Sequence, residues 1–155
     1  FSLAAGLNWK GIDFSILLQG AARSSIYLQQ DIAWDNFWGN YYEEHIGRWT
    51  PETAATATYP RFTKAATAAH PNYYKSDYWL KDSKYLRLKN IQLGYTIPRK
   101  LLKKFGVRSL RVYANAYNLF TWDNVKKVDP ESSNNSNGQF YPQQKVINFG
   151  INLNF

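Results

Sequence analysis

The last ten residues, "VINFGINLNF" at 146–155, alternate strictly between apolar and polar positions. Successive side chains of a β-strand point to opposite faces, so this pattern predicts a strand with one apolar and one polar face. The apolar face carries Ile147, Phe149, Ile151, Leu153 and Phe155, and the polar face carries Asn148, Asn152 and Asn154.

Four more segments repeat this alternation, which predicts an all-β fold with strands near 1–10, 12–20, 85–97, 109–121 and 146–155. In the third segment, Arg87 and Lys89 share the phase of Ile91 and Leu93. The apolar stripe of that strand is therefore expected only in its second half.

The connections between these strands alternate between short and long. Short turns join the first strand to the second and the third to the fourth, whereas long segments span 21–84 and 122–145. This pattern is typical of an antiparallel transmembrane β-barrel of the outer membrane, with short periplasmic turns and long extracellular loops. Ten tilted residues rise roughly 23 Å, close to the apolar band of about 25 Å. The alternative is a soluble β-sandwich with the stripes facing a core.

Composition narrows the classes of protein further. The chain has no cysteine, which excludes disulfides and thiolate metal sites. It has no run of 18 apolar residues, so a transmembrane helix is not expected, although a transmembrane strand escapes this test. The net charge of +8 allows nucleic acid or an acidic surface as a partner.

An odd number of strands predicts that 1–155 is the C-terminal part of one larger barrel domain. Bacterial barrels have even strand numbers, and five strands alone would leave two open edges. The absence of methionine also leads us to expect a start inside a longer chain. With the short turns periplasmic, the chain would end in the periplasm.

Several motifs occur in an order that resembles one family. They are "NWKGIDFSILLQG" at 8–20, "RWTPE" at 48–52, "YPRF" at 59–62, "SDYWLKDSKYLRLKNIQLGYTIP" at 76–98, "LRVYANAYNLFTW" at 110–122 and the terminal "INFGINLNF". Together they resemble the C-terminal end of SusC/RagA-type TonB-linked outer-membrane proteins of Bacteroidetes. One departure is "ETAATATYPRF" at 52–62, where an Asn-Pro-type turn is expected, and it concerns loop shape only.

The resemblance implies a barrel of about 22 strands with a plugged lumen. Such a protein imports oligosaccharides or peptides with TonB-derived energy beneath a SusD-like lipoprotein lid, and it is not an enzyme. The plug and the TonB-contacting segment would lie in an N-terminal part outside this sequence. The terminal strand ending in Phe155 resembles the signal read by the barrel assembly machinery. A passive porin and a soluble carbohydrate-binding β-sandwich are the alternatives.

The stretch "DIAWDNFWGNYYEEHIGRWTPE" at 31–52 is the most site-like segment. Read as a helix, it places Trp34, Trp38, Tyr41, Tyr42 and His45 on one aromatic face. Such a face either stacks on sugar rings or packs beneath the loops or against the lid. The candidate contacts to substrate or lid are Trp34, Asp35, Phe37, Trp38, Tyr41, Tyr42 and Trp49.

No pattern in the sequence indicates catalysis or a cofactor. Glu43 and Glu44 are adjacent and point apart, unlike the paired carboxylates of glycosidases. His45 and His70 lack metal-ligand spacing, and no phosphate-binding loop or nucleophile elbow occurs.

A basic cluster occupies the short segment between the third and fourth strands, at Arg99, Lys100, Lys103, Lys104 and Arg108. It would contact phosphates of nucleic acid or anionic headgroups, or form a solvated turn whose side chains snorkel at the membrane rim. The last interpretation is favoured, with membrane lipids and not nucleic acid as neighbours. Ile147, Phe149, Ile151, Leu153 and Phe155 are then expected to face lipid, and Asn148, Asn152 and Asn154 the lumen.

Overall fold

The computed structural model describes residues 1–35, 41–64, 69–132 and 141–155. The chain forms two compact units. One comprises Phe1–Arg23, Lys84–Asn124 and Pro142–Phe155, and the other comprises Ser24–Ser83 and Val125–Tyr141. Among the described residues, no helix is long and apolar enough to cross a membrane.

The first unit is a five-stranded antiparallel sheet, which confirms the predicted fold class at this level. The described strands, in chain order, are β1 (Ser2–Trp9), β2 (Ile12–Ala21), β3 (Ser25–Tyr27), β4 (Leu80–Asp82), β5 (Tyr85–Thr96), β6 (Ser109–Asp123) and β7 (Val146–Asn154). The sheet has the order β1-β2-β5-β6-β7, so all of its neighbours are consecutive along the chain apart from the excursion that carries β3 and β4. Within the described residues, the sheet does not close on itself.

The strand register builds one apolar and one polar face from the period-two patterns. Residues that face each other across all five strands form apolar rows such as Leu7–Phe14–Leu93–Ala114–Phe149 and Trp9–Ile12–Tyr95–Val112–Ile151. The row one residue away along each strand lies on the opposite face and is polar, as in Gly6–Ser15–Gln92–Asn115–Asn148. The two faces therefore differ in chemistry across the whole width of the sheet.

The apolar stripe on β5 runs further than the sequence predicted. Leu17 pairs with Asn90 whereas Leu18 pairs with Leu88, so Lys89 is an extra residue in a β-bulge. The bulge shifts the phase of β5 by one residue and places Leu88 on the face of Ile91. The prediction of a stripe confined to one half was wrong, because it assumed unbroken alternation through Lys89.

The residues at one end of the sheet explain the backbone conformations of its tight turns. Lys10 and Gly11 both have positive φ, at 47° and 88°, which suits the two-residue hairpin between β1 and β2. Between β5 and β6, a helical turn α1 (Arg99–Leu102) continues into a 3-10 turn (Lys103–Phe105). That turn ends at Gly106, whose φ of 70° is the left-handed conformation favoured after a helix.

On the polar face, an ion pair joins β2 to β6 across β5, the strand that lies between them. Arg111 on β6 donates from Nε to Oδ1 of Asp13 on β2 at 2.9 Å and from Nη2 to Oδ2 at 2.5 Å. Gly94 of β5 lies between them, and a Cβ added there would come within 2.5 Å of both side chains. Only glycine leaves the ion pair room to span two inter-strand spacings.

The second unit has its own hydrophobic core, although most of it is irregular. The strands β3 and β4 pair with each other, and 3-10 turns occupy Gln30–Ile32, Glu43–Gly47 and Pro71–Tyr73. The core consists of Ile26, Leu28, Ala33, Trp34, Tyr59, Tyr73, Trp79 and Val125. Ring contacts such as Trp34–Tyr73, with centroids 4.6 Å apart, hold together segments distant in sequence.

Candidate functional site

The aromatic stretch at 31–52 does not form the predicted helix in its described part. Short 3-10 turns occupy Gln30–Ile32 and Glu43–Gly47, and Tyr42, just before the second turn, has an extended backbone. Trp34 is 3% exposed in the core while Tyr41 is an exposed side chain, so the two do not share one aromatic face. The helical interpretation was wrong because the spacing reflects packing against distant rings. Phe37 and Trp38 lie outside the described residues.

Asp35, a predicted contact to substrate or lid, accepts hydrogen bonds from the protein itself. It is 1% exposed, its Oδ2 accepts from the Thr63 backbone N–H at 3.0 Å, and its Oδ1 accepts from the Tyr73 hydroxyl. The Tyr59 hydroxyl, 3.4 Å from Oδ1, donates to the Ala33 carbonyl at 2.8 Å and accepts from the Asp35 N–H at 3.0 Å. The network satisfies a buried carboxylate internally, as buried charges require.

The tyrosines of this network are held in their neutral form. Burial raises the pKa of Tyr59, and the negative charge of Asp35 raises it further. Burial and the hydrogen bond to Asp35 likewise raise the pKa of Tyr73. Both hydroxyls therefore remain hydrogen-bond donors over the ordinary pH range, which keeps the centre of the second unit intact.

His45 is also a packing residue. Its Nδ1 accepts from the Tyr42 backbone N–H at 3.0 Å, and its Nε2 lies 3.3 Å from the Ala33 carbonyl. This arrangement fits the neutral tautomer with the proton on Nε2. The ring is buried 4.5 Å from the Tyr59 ring. Within the described part of the chain, no three His, Asp or Glu side chains gather as metal ligands.

Three predicted contact residues, Tyr41, Tyr42 and Trp49, are exposed. Trp49, at 39% exposure, lines a groove of about 410 Å³ with Arg48, Thr50, Pro51, Arg61 and Phe62. Trp49 N–H donates to the Tyr59 carbonyl at 2.8 Å, and this backbone pairing brings the "RWTPE" and "YPRF" motifs to the same groove.

The groove combines apolar rings with positive charge. The Arg48 guanidinium lies 4.9 Å from the centre of the Phe62 ring, and Arg61 adds a second cation to the lining. Glu52, which follows Pro51, has its pKa lowered by a hydrogen bond with Thr50 and supplies one negative charge nearby. The sequence interpretation included Trp49 but missed both arginines, although each lies in one of the two quoted motifs.

Among the strands that the structure describes, the terminal strand β7 is hydrogen-bonded to β6 alone. On its polar face, Asn148 Nδ2 donates to Asn115 Oδ1 at 2.9 Å and Asn154 Nδ2 donates to Ser109 Oγ at 2.8 Å. Its apolar side chains, Ile147, Phe149, Ile151 and Leu153, are exposed. The face predicted to meet lipid is thus uncovered, while the assignment to lipid and lumen stays a prediction.

Comparison with known proteins gives full-length matches of the chain to parts of much longer ones. The TonB-dependent receptor P26 of Formosa agariphila is 29% identical over 172 residues, which cover 100% of this chain and 17% of that protein. The TonB-dependent receptor SusC of Bacteroides thetaiotaomicron is 26% identical over 99% of this chain, and the chain spans 15% of its length. No family model matches the chain.

Solved structures show the same fold. The RagAB peptide importer in its 'open-open' state superposes with a TM-score of 0.75 at 22% identity, over 99% of this chain and 17% of that one. The RagAB peptide transporter superposes with a TM-score of 0.73 at 24% identity. The resemblance to SusC/RagA-type TonB-dependent outer-membrane proteins is thereby confirmed, and these homologues are receptors and transporters, not enzymes.

Proposed function

We propose that this chain forms part of the wall of an outer-membrane active transporter, in a barrel of about 22 strands. The observation that supports this most is the uncovered apolar face of the sheet, which runs across all five strands. A soluble monomer rarely exposes so large a contiguous apolar surface, whereas a barrel wall covers it with lipid tails. Homology to TonB-dependent receptors over the whole chain agrees with this interpretation.

The chemistry of the two faces sets the orientation of the wall. Ile147, Phe149, Ile151, Leu153 and Phe155 would face lipid, and Asn148, Asn152 and Asn154 would face the lumen. The free edge of β7 would pair with a strand outside this chain, because an unpaired edge in a bilayer leaves backbone groups unsatisfied. Residues 21–84 and 122–145 would be extracellular, with the C-terminus periplasmic.

The transporter would import large nutrients, oligosaccharides or peptides, with TonB-derived energy. A SusD-like lipoprotein would cover the extracellular side, and the plug and TonB-contacting segment would belong to the part of the protein outside this chain. The barrel assembly machinery would read the terminal strand with its final Phe155. This chain would supply part of the wall and the second compact unit, Ser24–Ser83 and Val125–Tyr141, which we call the loop unit. It would require no cofactor or catalytic group.

Within the loop unit, we assign contact with the substrate or the lid to the exposed aromatic residues Tyr41, Tyr42 and Trp49. Trp49 offers a flat apolar surface beside two guanidinium groups, an arrangement found in binding hot spots. Trp34 and Asp35 would act indirectly, because their buried side chains fix the scaffold that presents this surface. Phe37 and Trp38 keep their predicted role as further contacts.

Cysteine labelling on intact cells tests the orientation. A cysteine-free version of the parent protein would carry either Thr56→Cys in the loop unit or Lys104→Cys in the β5–β6 turn, both at exposed positions. A membrane-impermeant maleimide should label the first variant on intact cells and the second only after lysis. Labelling of the second variant alone on intact cells would reverse the topology. Recovery of the unlabelled parent without detergent would reject the barrel.

A further inference from the structure

The β5–β6 turn carries a charge pattern that the wall function does not explain. Residues 99–108 contain five cations and no acidic residue. The basic side chains are Arg99, Lys100, Lys103, Lys104 and Arg108. A solvated turn needs some polar residues, but it does not need five charges of one sign, which repel one another.

The turn also exposes two large apolar side chains. Leu102 is buried and α1 packs against β6, which attaches the turn to the sheet. Leu101 is 65% exposed and Phe105 is 75% exposed, and they lie four positions apart along the helical turn. Cationic and apolar side chains are therefore presented together on one short segment.

A strand from outside this chain would not border this turn along the sheet. Both β5 and β6 have their hydrogen-bonded neighbours in this chain, β2 on one side and β7 on the other. An additional strand would pair at β1 or β7 instead. The exposure of Leu101 and Phe105 is thus not caused by an absent neighbouring strand.

We propose that the β5–β6 turn binds the anionic headgroups of phospholipids in the periplasmic leaflet, with Leu101 and Phe105 inserted at the acyl boundary; this rests on the proposed outer-membrane location. Basic side chains attract anionic headgroups, and their long stems keep the charge at the interface. Apolar side chains beside them add burial at the headgroup boundary, as in interfacial helices. A polyanion without acyl chains would use only the charges.

Lipid retention by the intact parent protein tests this. The protein, purified in detergent, is mixed with equal amounts of phosphatidylglycerol and phosphatidylcholine of matched acyl chains, and bound lipids are counted by native mass spectrometry. The wild type should prefer phosphatidylglycerol. Lys103→Gln/Lys104→Gln removes two cations and should lower phosphatidylglycerol affinity roughly 30-fold, at about 1 kcal/mol per cation. Leu101→Ser/Phe105→Ser should lower retention of both lipids.

The matched control is Lys75→Gln/Lys126→Gln, which makes the same change of net charge at exposed lysines of the loop unit. It should retain the wild-type preference. Equal retention of both lipids by the wild type, or an unchanged preference in Lys103→Gln/Lys104→Gln, would overturn the proposal and leave the turn to a soluble anionic partner. Neither result would affect the proposed transporter, which is tested separately by whether the parent protein needs detergent.

Discussion

Replacing Gly94 by alanine should break the ion pair that crosses the polar face of the sheet. The added Cβ would lie 2.5 Å from Arg111 Nη2, 2.5 Å from Asp13 Oδ1 and 2.6 Å from Asp13 Oδ2, inside any van der Waals contact. The atoms it meets are the charged ends of both side chains, so one of them must swing away. The bidentate geometry would then be lost.

The expected magnitude follows from two opposing effects. The hydrogen bonds that would be lost are charge-assisted, but the two side chains are 24% and 27% exposed, so solvent screening reduces their contribution to stability. Alanine in place of glycine returns about 0.5–1 kcal/mol through the unfolded chain. For the Gly94→Ala substitution as a whole, we expect a net destabilisation of about 1 kcal/mol, the usual size for a point mutation that disturbs one local contact.

Urea unfolding of the detergent-purified parent, followed by tryptophan fluorescence, measures this change. The matched control is Gly6→Ala on β1, whose Cβ would meet only the Phe14 carbonyl at 3.6 Å, an ordinary contact. Gly94→Ala should also become harmless in an Asp13→Ala/Arg111→Ala background, where no ion pair remains to be displaced. The reasoning is refuted if Gly94→Ala costs no more than Gly6→Ala, or costs the same in that background.

Two further predictions concern the loop unit. The raised pKa values of Tyr59 and Tyr73 mean that the folded unit favours their neutral forms. Their contribution to the stability of the unit should be constant below pH about 10 and fall as the pH rises above that value, where unfolded tyrosine ionises. Limited proteolysis of the 24–83 segment against pH measures this loss, and a Tyr73→Phe variant that shows the same loss at the same pH would exclude Tyr73 as a cause. Trp49→Ala should weaken binding of the lid protein or the substrate by roughly 30-fold, the effect of a hot-spot residue that contributes about 2 kcal/mol. A pull-down or uptake assay measures this, with Tyr74→Ala as the control, because Tyr74 is an exposed aromatic residue outside the groove lining. Equal losses in both variants would show that Trp49 is not part of the contact.

The strands were predictable from sequence because the sheet has one apolar and one polar face, so every second residue of a strand belongs to the same face. The alternation at Ile147–Phe155 and at Ile91–Tyr95 indicates which face of the sheet each side chain occupies. The alternation no longer predicts the correct face beyond Lys89, because a β-bulge shifts the phase by one residue and the sequence does not indicate where the bulge lies. Pairing with Leu17 and Leu18 reveals it only in three dimensions.

The loop unit was less predictable because its core joins residues far apart in sequence. Trp34 packs against Tyr73, and Asp35 accepts from Tyr73, contacts that no local spacing reports. Asp35 was expected to contact the substrate or the lid, but its carboxylate is buried and accepts a hydrogen bond from the Tyr73 hydroxyl. The groove at Trp49 likewise depends on the pairing of Arg48 with Tyr59.

The most direct test of the barrel wall is a nitroxide scan along β7 of the parent protein in a lipid bilayer. Spin labels at 147–153 would be compared for collision with oxygen, which partitions into lipid, and with a water-soluble nickel complex. The account predicts a period of two, with oxygen collisions highest at Ile147, Phe149, Ile151 and Leu153 and lowest at Asn148 and Asn152. Uniform access of the nickel complex, or the opposite phase, would contradict it.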